Sequence, residues 1–187
     1  AVDADNRFIW RMNPRRLEAE AMRDSMLLVA GKLDLTMGGP SFQDFIVEQP
    51  AHSPHYRYGS YDPNDPRSHR RTVYRMIVRS QPQPFLGALD CADPSLSVEK
   101  RNESMGALQA LALMNNQFVI AMSENFAARL LKEASTPPAR ITRAFQLILG
   151  RDPTTTELTQ LSAYATTYGW ANACRLILNL NEFAFVD

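Results

Sequence analysis

The chain lacks several features that would assign it to a common functional class. No apolar run approaches the roughly 18 residues that a transmembrane helix requires, so the sequence predicts no membrane span. Its 20 basic and 20 acidic residues give a formal net charge of +0, whereas general nucleic-acid binders carry a basic surplus. We therefore expect no nucleic-acid partner. No signal peptide opens the chain at Ala1-Val2-Asp3, and we interpret it as a segment of a longer protein.

Motifs for redox and nucleophilic chemistry are also missing. The two cysteines, Cys91 and Cys174, form neither a Cys-x-x-Cys pair nor a haem-attachment motif, and both have apolar neighbours. We expect two buried free thiols, with a single disulfide as the alternative. The sequence has no Gly-x-Ser-x-Gly, no phosphate-binding loop and no dinucleotide-binding glycine pattern. It therefore predicts no cofactor in this chain and leaves open whether the protein is an enzyme.

What remains is an ordinary globular composition with clear helical periodicity. Hydrophobic residues make up 45% and charged residues 21% of 187 residues, which fits a single domain over 1–187. Within 1–33, apolar residues three or four apart from Ala19 to Leu33 predict an N-terminal helix. We expect it to begin at Asn13-Pro14, to end near Gly31 and to pack across the C-terminal part.

Residues 102–187 carry the strongest helical signals. Links between the predicted helices are short, which favours antiparallel neighbours, so we predict an antiparallel helical bundle. The signals are the apolar stripes 108–115 and 119–130, the Pro137-Pro138 start and Gly150 end of a third helix, the Thr154-x-x-Glu157 capping box of a fourth, and the apolar positions 170–178 of the last full helix. We expect Asn181–Val186 to be a short apolar tail that is docked rather than free.

Residues 34–101 form an irregular segment that prolines interrupt repeatedly. Within it, alternation predicts a strand over Thr72–Val78, with arginines on one face at 71, 75 and 79. Val73 and Ile77 share that face, which suggests that it is partly buried. Short extended pieces are expected around Phe42–Val47 and His55–Tyr58, the second being the best partner for the strand. The predicted fold class is mainly α, with a small β element in the middle of the chain.

A series of short sequence blocks, in a fixed order, carries a family resemblance. The blocks are Arg11–Asp24, Gly38–Ser41, Arg71–Arg75, Pro84-Phe85, Asp90–Ser95, Arg101–Glu103, Leu108–Asn116, Leu149–Arg151 and Asn179–Asp187. In this order they resemble the planctomycete-type domain-of-unknown-function family 1553 over essentially the whole chain.

The resemblance implies a context rather than an activity. Members of this family are typically the C-terminal region of large exported planctomycete proteins, behind a companion domain of unknown function and often a cytochrome-c-like domain. For this chain, the resemblance implies a periplasmic or cell-surface location, with the upstream companion domain as partner. Any haem would belong to a separate domain of the parent protein.

Four arginines are the candidates for an anion-binding site. Arg71, Arg75 and Arg79 lie on one face of the predicted strand, and Arg101 follows downstream. Clustered guanidinium groups bind carboxylate, sulfate or phosphate through paired hydrogen bonds. Such a face would suit an acidic or sulfated carbohydrate. The alternative is internal ion pairing with nearby carboxylates.

Three acidic residues, Asp90, Asp93 and Glu103, are the candidates for acid–base chemistry or for holding a hard cation. Their spacing matches no known metal loop, and the alternative is a loop held by Asx turns before a helix that starts at Asn102 or Ser104. The three histidines, His52, His55 and His69, lie in a proline-broken stretch, so we predict no metal site.

Two functional classes follow from these observations. The first is a non-catalytic interaction or scaffold module that docks on the companion domain. It predicts an exposed apolar patch near Phe8–Trp10. The second is a part that binds or processes polyanionic carbohydrate, and it requires Arg71, Arg75 and Arg79 in an open cleft without carboxylate partners.

Overall fold

The computed structural model describes residue 3 and residues 6–13, 15–97 and 106–186. These residues form a mainly helical fold with a small β element, as the sequence predicted. Their helices are α1 (Ala19–Val29), α2 (Pro84–Ala88), α3 (Ala107–Asn115), α4 (Gln117–Glu133), α5 (Pro137–Leu149), α6 (Thr155–Tyr168), α7 (Trp170–Ile177) and α8 (Asn181–Ala184). Their strands are β1 (Arg15–Arg16), β2 (Ile46–Glu48), β3 (His55–Arg57) and β4 (Phe185–Val186). Among the described helices, none is long and apolar enough to cross a membrane.

Local signals begin and end the C-terminal helices, and those at Gly150 and Thr154 lie where the sequence predicted. The Asn116 carboxamide oxygen accepts a hydrogen bond from the Phe118 amide at 2.9 Å and caps α4. Gly150 ends α5 with a φ of 68°, a left-handed conformation that glycine adopts without steric cost. At the start of α6, the Glu157 carboxylate accepts from the Thr154 amide at 2.7 Å, which completes the predicted capping box.

The prediction that the first helix begins at Asn13-Pro14 is wrong. Helix α1 begins at Ala19, because Arg15 and Arg16 are extended and pair antiparallel with Val186 and Phe185 of β4. The Leu17 amide also donates to the Ala184 carbonyl at 2.8 Å. A contact between opposite ends of the chain therefore overrides the local helix-start signal. It also fixes the apolar C-terminal tail, which was correctly predicted to be docked.

The core lies around α4, which packs against α1, α3, α5 and α7. The predicted stripe of α1 is buried in it, with Met22 and Met26 at 0% exposure. The other large side chains exposed by less than 2% are Leu27, Leu89, Leu113, Met122, Phe126, Leu130, Ile141, Phe145, Ile177 and Leu178. The N-terminal helix therefore joins the C-terminal helices in one hydrophobic cluster.

The predicted strand over Thr72–Val78 is wrong. Thr72–Tyr74 forms a 3₁₀ turn, and β3 pairs instead with β2, placing Val47 opposite Tyr56. Both the amide and the hydroxyl of Thr72 donate to the Asp24 carboxylate on α1, at 2.8 and 2.6 Å. This tie to α1 replaces the hydrogen bonds of a strand ladder. Val73 and Ile77 are 72% and 60% exposed, so their expected burial is also wrong, although Arg75 on the same predicted face has a buried side chain.

Arginines from other segments satisfy the carbonyl groups at two helix ends. Arg129 of α4 donates to the carbonyl of Val29 at 2.9 Å, at the C-terminus of α1. Arg140 of α5 donates to the carbonyl of Ala134 at 2.9 Å, just after α4. The last carbonyls of a helix lack partners within the helix, and cations are favoured there by the helix dipole. These two arginines therefore act as caps supplied by neighbouring helices.

Candidate functional site

The predicted anion-binding arginines do not form one open face. The side chain of Arg71 is 56% exposed, and its Nε lies 3.7 Å from an oxygen of Asp24. Arg79 is exposed and makes no ion pair within the described part of the chain. Arg101 lies outside the described residues. Arg71 and Arg79 are thus the candidates that remain accessible to a ligand.

Arg75 is instead committed to a buried ion pair. Its Nε donates to both carboxylate oxygens of Asp44, each at 3.0 Å, and the two side chains are only 8% and 10% exposed. The guanidinium carbon lies 5.8 Å from the ring centre of Tyr58. Arg75 therefore forms a structural salt bridge with Asp44, which is the internal ion pairing given above as the alternative to anion binding.

Arg70, next to the predicted cluster, holds a loop together. Its guanidinium donates to the carbonyls of Pro40 at 2.8 Å and Thr36 at 3.0 Å, and also to the carbonyl of Gly38. The same group lies 4.1 Å from the ring centre of Tyr74. This arrangement fixes the turn at residues 38–40.

The two described acidic candidates have separate surroundings. Asp90 lies 3.2 Å from Arg16 Nη2 and accepts a hydrogen bond from Gln109 Nε2, so it ties β1 to α3. Asp93 is exposed and accepts from the Ser95 amide at 2.8 Å, which is the hydrogen bond of an Asx turn. Glu103 and the expected helix start at 102 or 104 lie outside the described residues.

The three histidines are not brought together. His52 and His55 are exposed, whereas His69 is 4% exposed, with Nε2 at 3.0 Å from the Pro63 carbonyl oxygen. Over residues 6–97 and 106–186, apart from Pro14, no group of three or more histidine, cysteine, aspartate or glutamate side chains is placed to hold a metal ion.

Both cysteines are free thiols, as expected, and the expected burial is confirmed for Cys174 but is wrong for Cys91. Cys174 is buried in the core, and burial raises the pKa of its thiol to about 12. Cys91 is half-buried and donates to Glu20 Oε1 at 3.4 Å. Since a thiolate is the reactive form of cysteine, Cys174 is expected to be inert at neutral pH.

A cavity of about 380 Å³ opens between α1, α2, the N-terminus of α4 and the irregular segment. Its lining includes charged, aromatic and carboxamide side chains, from Arg23, Asp44, Tyr58, Tyr61, Gln83, Phe85, Asn115, Asn116, Gln117 and Phe118. Sequence reasoning missed this site, because its residues come from distant parts of the chain and none stands in a catalytic or binding motif.

Arg23 forms a fixed wall of the cavity. Its guanidinium donates to the carbonyls of Ser68 at 2.5 Å and Arg70 at 3.2 Å. It also lies 5.2 Å from the ring centres of Phe42 and Phe118. Burial lowers the pKa of Arg23 to about 10, although Asp44 and Asp24 act in the opposite direction. The group therefore stays protonated at neutral pH.

A second unusual surface lies before β1, in a segment that we call the apolar turn (residues 6–12). Four large apolar side chains in it face solvent: Phe8 (84% exposed), Ile9 (85%), Trp10 (62%) and Met12 (62%). The sequence predicted exposed apolar residues at Phe8–Trp10, and the structure places them at the surface.

A protein-family model matches residues 1–165 of the chain, and its family is described as PSD1, Protein of unknown function (DUF1553). Searches of curated proteins and of solved structures returned no match. The matched range ends within α6, whereas the buried side chains of Ile177 and Leu178 show that α7 completes the same core. A match over this much of the chain establishes that the protein belongs to the DUF1553 family.

Proposed function

We propose that this domain is a non-catalytic interaction module, and that its apolar turn docks on a companion domain of a larger exported planctomycete protein. The observation that carries this proposal is the exposure of Phe8, Ile9 and Trp10 in consecutive positions. Contiguous apolar surface on a folded domain is characteristic of sites that contact another protein.

The apolar turn is held in shape by polar groups. The Asp3 carboxylate accepts hydrogen bonds from the amides of Arg7 and Phe8, both at 2.9 Å. The indole Nε1 of Trp10 donates to the Asp3 carbonyl at 3.0 Å. These bonds fix the backbone while leaving the apolar side chains outside, so the turn loses little conformational freedom on docking.

The backbone of the turn also carries strain. Ile9 has a φ of 52°, in the left-handed region where a β-branched residue is an outlier. Such a conformation costs about 1–3 kcal/mol and persists where surrounding contacts enforce it. A strained residue that presents 85% of its surface to solvent supports a binding role rather than a packing role.

The companion domain and the exported, cytochrome-linked setting belong to the proposal. The resemblance of the chain to the DUF1553 family supports both. In this role the domain would position its neighbours rather than react with substrate.

Hydrogen exchange tests the docking. Amides of residues 7–13 should exchange more slowly in the full-length parent protein than in this domain alone. Substituting Trp10→Ala in the parent should reduce the docking equilibrium about 30-fold, equivalent to about 2 kcal/mol for an aromatic anchor. Tyr168→Ala is the matched control, because Tyr168 on α6 is 61% exposed and Trp10 is 62% exposed. Equal exchange of residues 7–13 in both proteins would rule the proposal out.

Binding of acidic or sulfated carbohydrate by Arg71 and Arg79 alone is the second candidate, because Arg75 is paired with Asp44 and the three arginines do not form the required open cleft. The exposure of Arg71 and Arg79 supports it. It predicts retention on a heparin column that the double substitution Arg71→Ala, Arg79→Ala abolishes. Arg57→Ala is the control, since Arg57 is also exposed and pairs with Glu48 at 2.8 Å. Elution of the unsubstituted protein in the flow-through at low salt would eliminate this candidate.

A further inference from the structure

We propose that the cavity beside Arg23 is a binding site for one uncharged sugar residue, such as a neutral hexose or its N-acetylamino derivative. This site is separate from the apolar turn and does not depend on the docking role. It also differs from the predicted anion site in location and in the charge of its ligand.

The cavity is preformed. Four of its lining residues are buried, with exposures of 4% for Arg23, 8% for Tyr58, 4% for Ser68 and 3% for Phe85. Its volume of about 380 Å³ falls in the range of small-molecule sites, which is about 300–1,000 Å³. A ligand would therefore enter an existing, walled space.

The charges around the cavity are balanced. Among the described lining residues, Arg23 is the one cation and Asp44 is the one anion at neutral pH. Asp44 already accepts from Arg75, and Arg23 already donates to the Ser68 carbonyl. A charged ligand would be desolvated without a free counter-charge, which is costly. The balance therefore favours an uncharged ligand.

Two carboxamide groups supply hydrogen-bond donors. The Gln83 Oε1 accepts from the Leu86 amide at 2.7 Å, and the Asn116 Oδ1 accepts from the Phe118 amide at 2.9 Å. These bonds turn the oxygen of each carboxamide, and not its NH₂ group, towards the backbone. Within the described residues the two NH₂ groups have no protein partner. A ligand with hydroxyl or carbonyl acceptors would satisfy them, whereas a wholly apolar ligand would leave them unpaired.

Aromatic rings supply the remaining wall. Tyr61 and Phe118 are half-buried at the cavity, and the rings of Phe118 and Phe85 are 5.8 Å apart. The face of an aromatic ring is electronegative and attracts the weakly positive C–H groups of a sugar ring. Sugar hydroxyls also both donate and accept, so they suit a site that contains carboxamides and a carboxylate. An uncharged sugar ring is the small-molecule class that uses all of these groups together.

A titration followed by ¹H–¹⁵N NMR tests the proposal with glucose, galactose, mannose and N-acetylglucosamine. At least one should give saturable shifts at Gly59, Gln117 and Phe118, with a Kd on the order of 1–10 mM. Glucuronate and glucose 6-sulfate should bind at least about 5-fold more weakly because they carry a charge. Absence of saturable shifts at sugar concentrations up to 100-fold above the lower end of that Kd range would overturn the proposal. Tighter binding of the charged sugars or of adenosine than of the neutral sugars would also overturn it.

Two variants locate the binding. Gly59 lines the cavity, and a Cβ built there meets no atom within 4 Å, so Gly59→Phe should occupy space without strain and abolish the shifts. Gly87→Phe is the control, because Gly87 is equally open but does not line the cavity. Asn116→Asp keeps the helix cap, since Asp and Asn cap equally well, but removes the NH₂ donor and should weaken binding at least about 5-fold. Unchanged binding in folded Gly59→Phe or in Asn116→Asp would refute the assignment.

Discussion

Substituting Asp44→Ala is expected to destabilise the fold through the arginine that it leaves behind. Asp44 and Arg75 form a pair with both Nε–O distances at 3.0 Å, and their side chains are only 10% and 8% exposed. The Nη2 of Arg75 is buried and has no hydrogen-bond partner among the described residues even before the substitution. Removing the carboxylate would leave a buried guanidinium with no ion-pair partner among the described residues.

The size of this effect follows from the burial of the pair. Breaking a buried ion pair by removing one partner costs about 3–5 kcal/mol, because the remaining charge stays desolvated. Asp44 also raises the pKa of nearby Arg23, so its loss disfavours a second buried cation. For a domain of this size the melting temperature should fall by about 6–20 °C. Replacing both partners, with Asp44→Leu and Arg75→Met, should cost less than Asp44→Ala alone.

Urea unfolding of the unsubstituted protein, Asp44→Ala and the double variant, extrapolated linearly to water, measures these differences in the free energy of unfolding. Glu48→Ala is the matched control, because Glu48 pairs with Arg57 at 2.8 Å while the two side chains are 50% and 57% exposed. An exposed pair contributes about 0–1 kcal/mol, so this control should remain near the unsubstituted protein. The reasoning would be refuted if Asp44→Ala and Glu48→Ala had the same stability.

Three further predictions concern other parts of the fold. Hydrogen bonds from Arg151 lower the pKa of Glu157 to about 2, so the stability that this carboxylate contributes is complete above about pH 4.5 and is lost as the pH falls towards 2. Glu157→Gln should flatten the pH dependence of urea unfolding in that window. A thiol-reactive dye should label Cys91 in the native protein, and Cys174 only after denaturation, because burial of Cys174 suppresses its thiolate. Gly150→Ala should cost about 1 kcal/mol, measured by thermal unfolding, because its φ of 68° suits glycine.

The C-terminal helices could be predicted because their signals are local. A capping box at Thr154, a proline pair at Pro137 and a left-handed glycine at Gly150 each act within one helical turn. The start of α1 depends instead on β4, more than a hundred residues away in sequence, where Phe185 pairs with Arg16. Local periodicity carries no information about such a pairing.

The irregular middle segment was predicted with less success, for a related reason. Alternation over Thr72–Val78 is typical of a strand, but Thr72 bonds to Asp24 on α1 and the segment turns. The two short extended pieces were located nearly correctly, since β2 and β3 occupy Ile46–Glu48 and His55–Arg57. Their mutual pairing was missed because the predicted strand was assigned as the partner of the second piece.

The cavity had no sequence signal of its own. Asn116 could be predicted only as a polar residue between two helices, and no helix was predicted after Gln83. The carboxamide oxygens of the two residues cap α4 and α2. Gln83 and Asn116 line the same cavity as Asp44 and Tyr58 only because α1 and α4 hold the middle segment in place. Sites assembled from distant segments depend on the tertiary fold.

The arginines show how the lack of regular structure in residues 34–97 is compensated. A segment whose strands are as short as β2 and β3 has many backbone carbonyls outside a strand ladder, and a guanidinium offers five donors in a planar fork. Arg70 serves the carbonyls of Thr36, Gly38 and Pro40, and Arg23 serves those of Ser68 and Arg70. An arginine-rich sequence with few regular elements is therefore as consistent with internal cross-linking as with anion binding. In this chain, the arginines available to a ligand are those that make no such bonds, and Arg79 is the clearest example within the described residues.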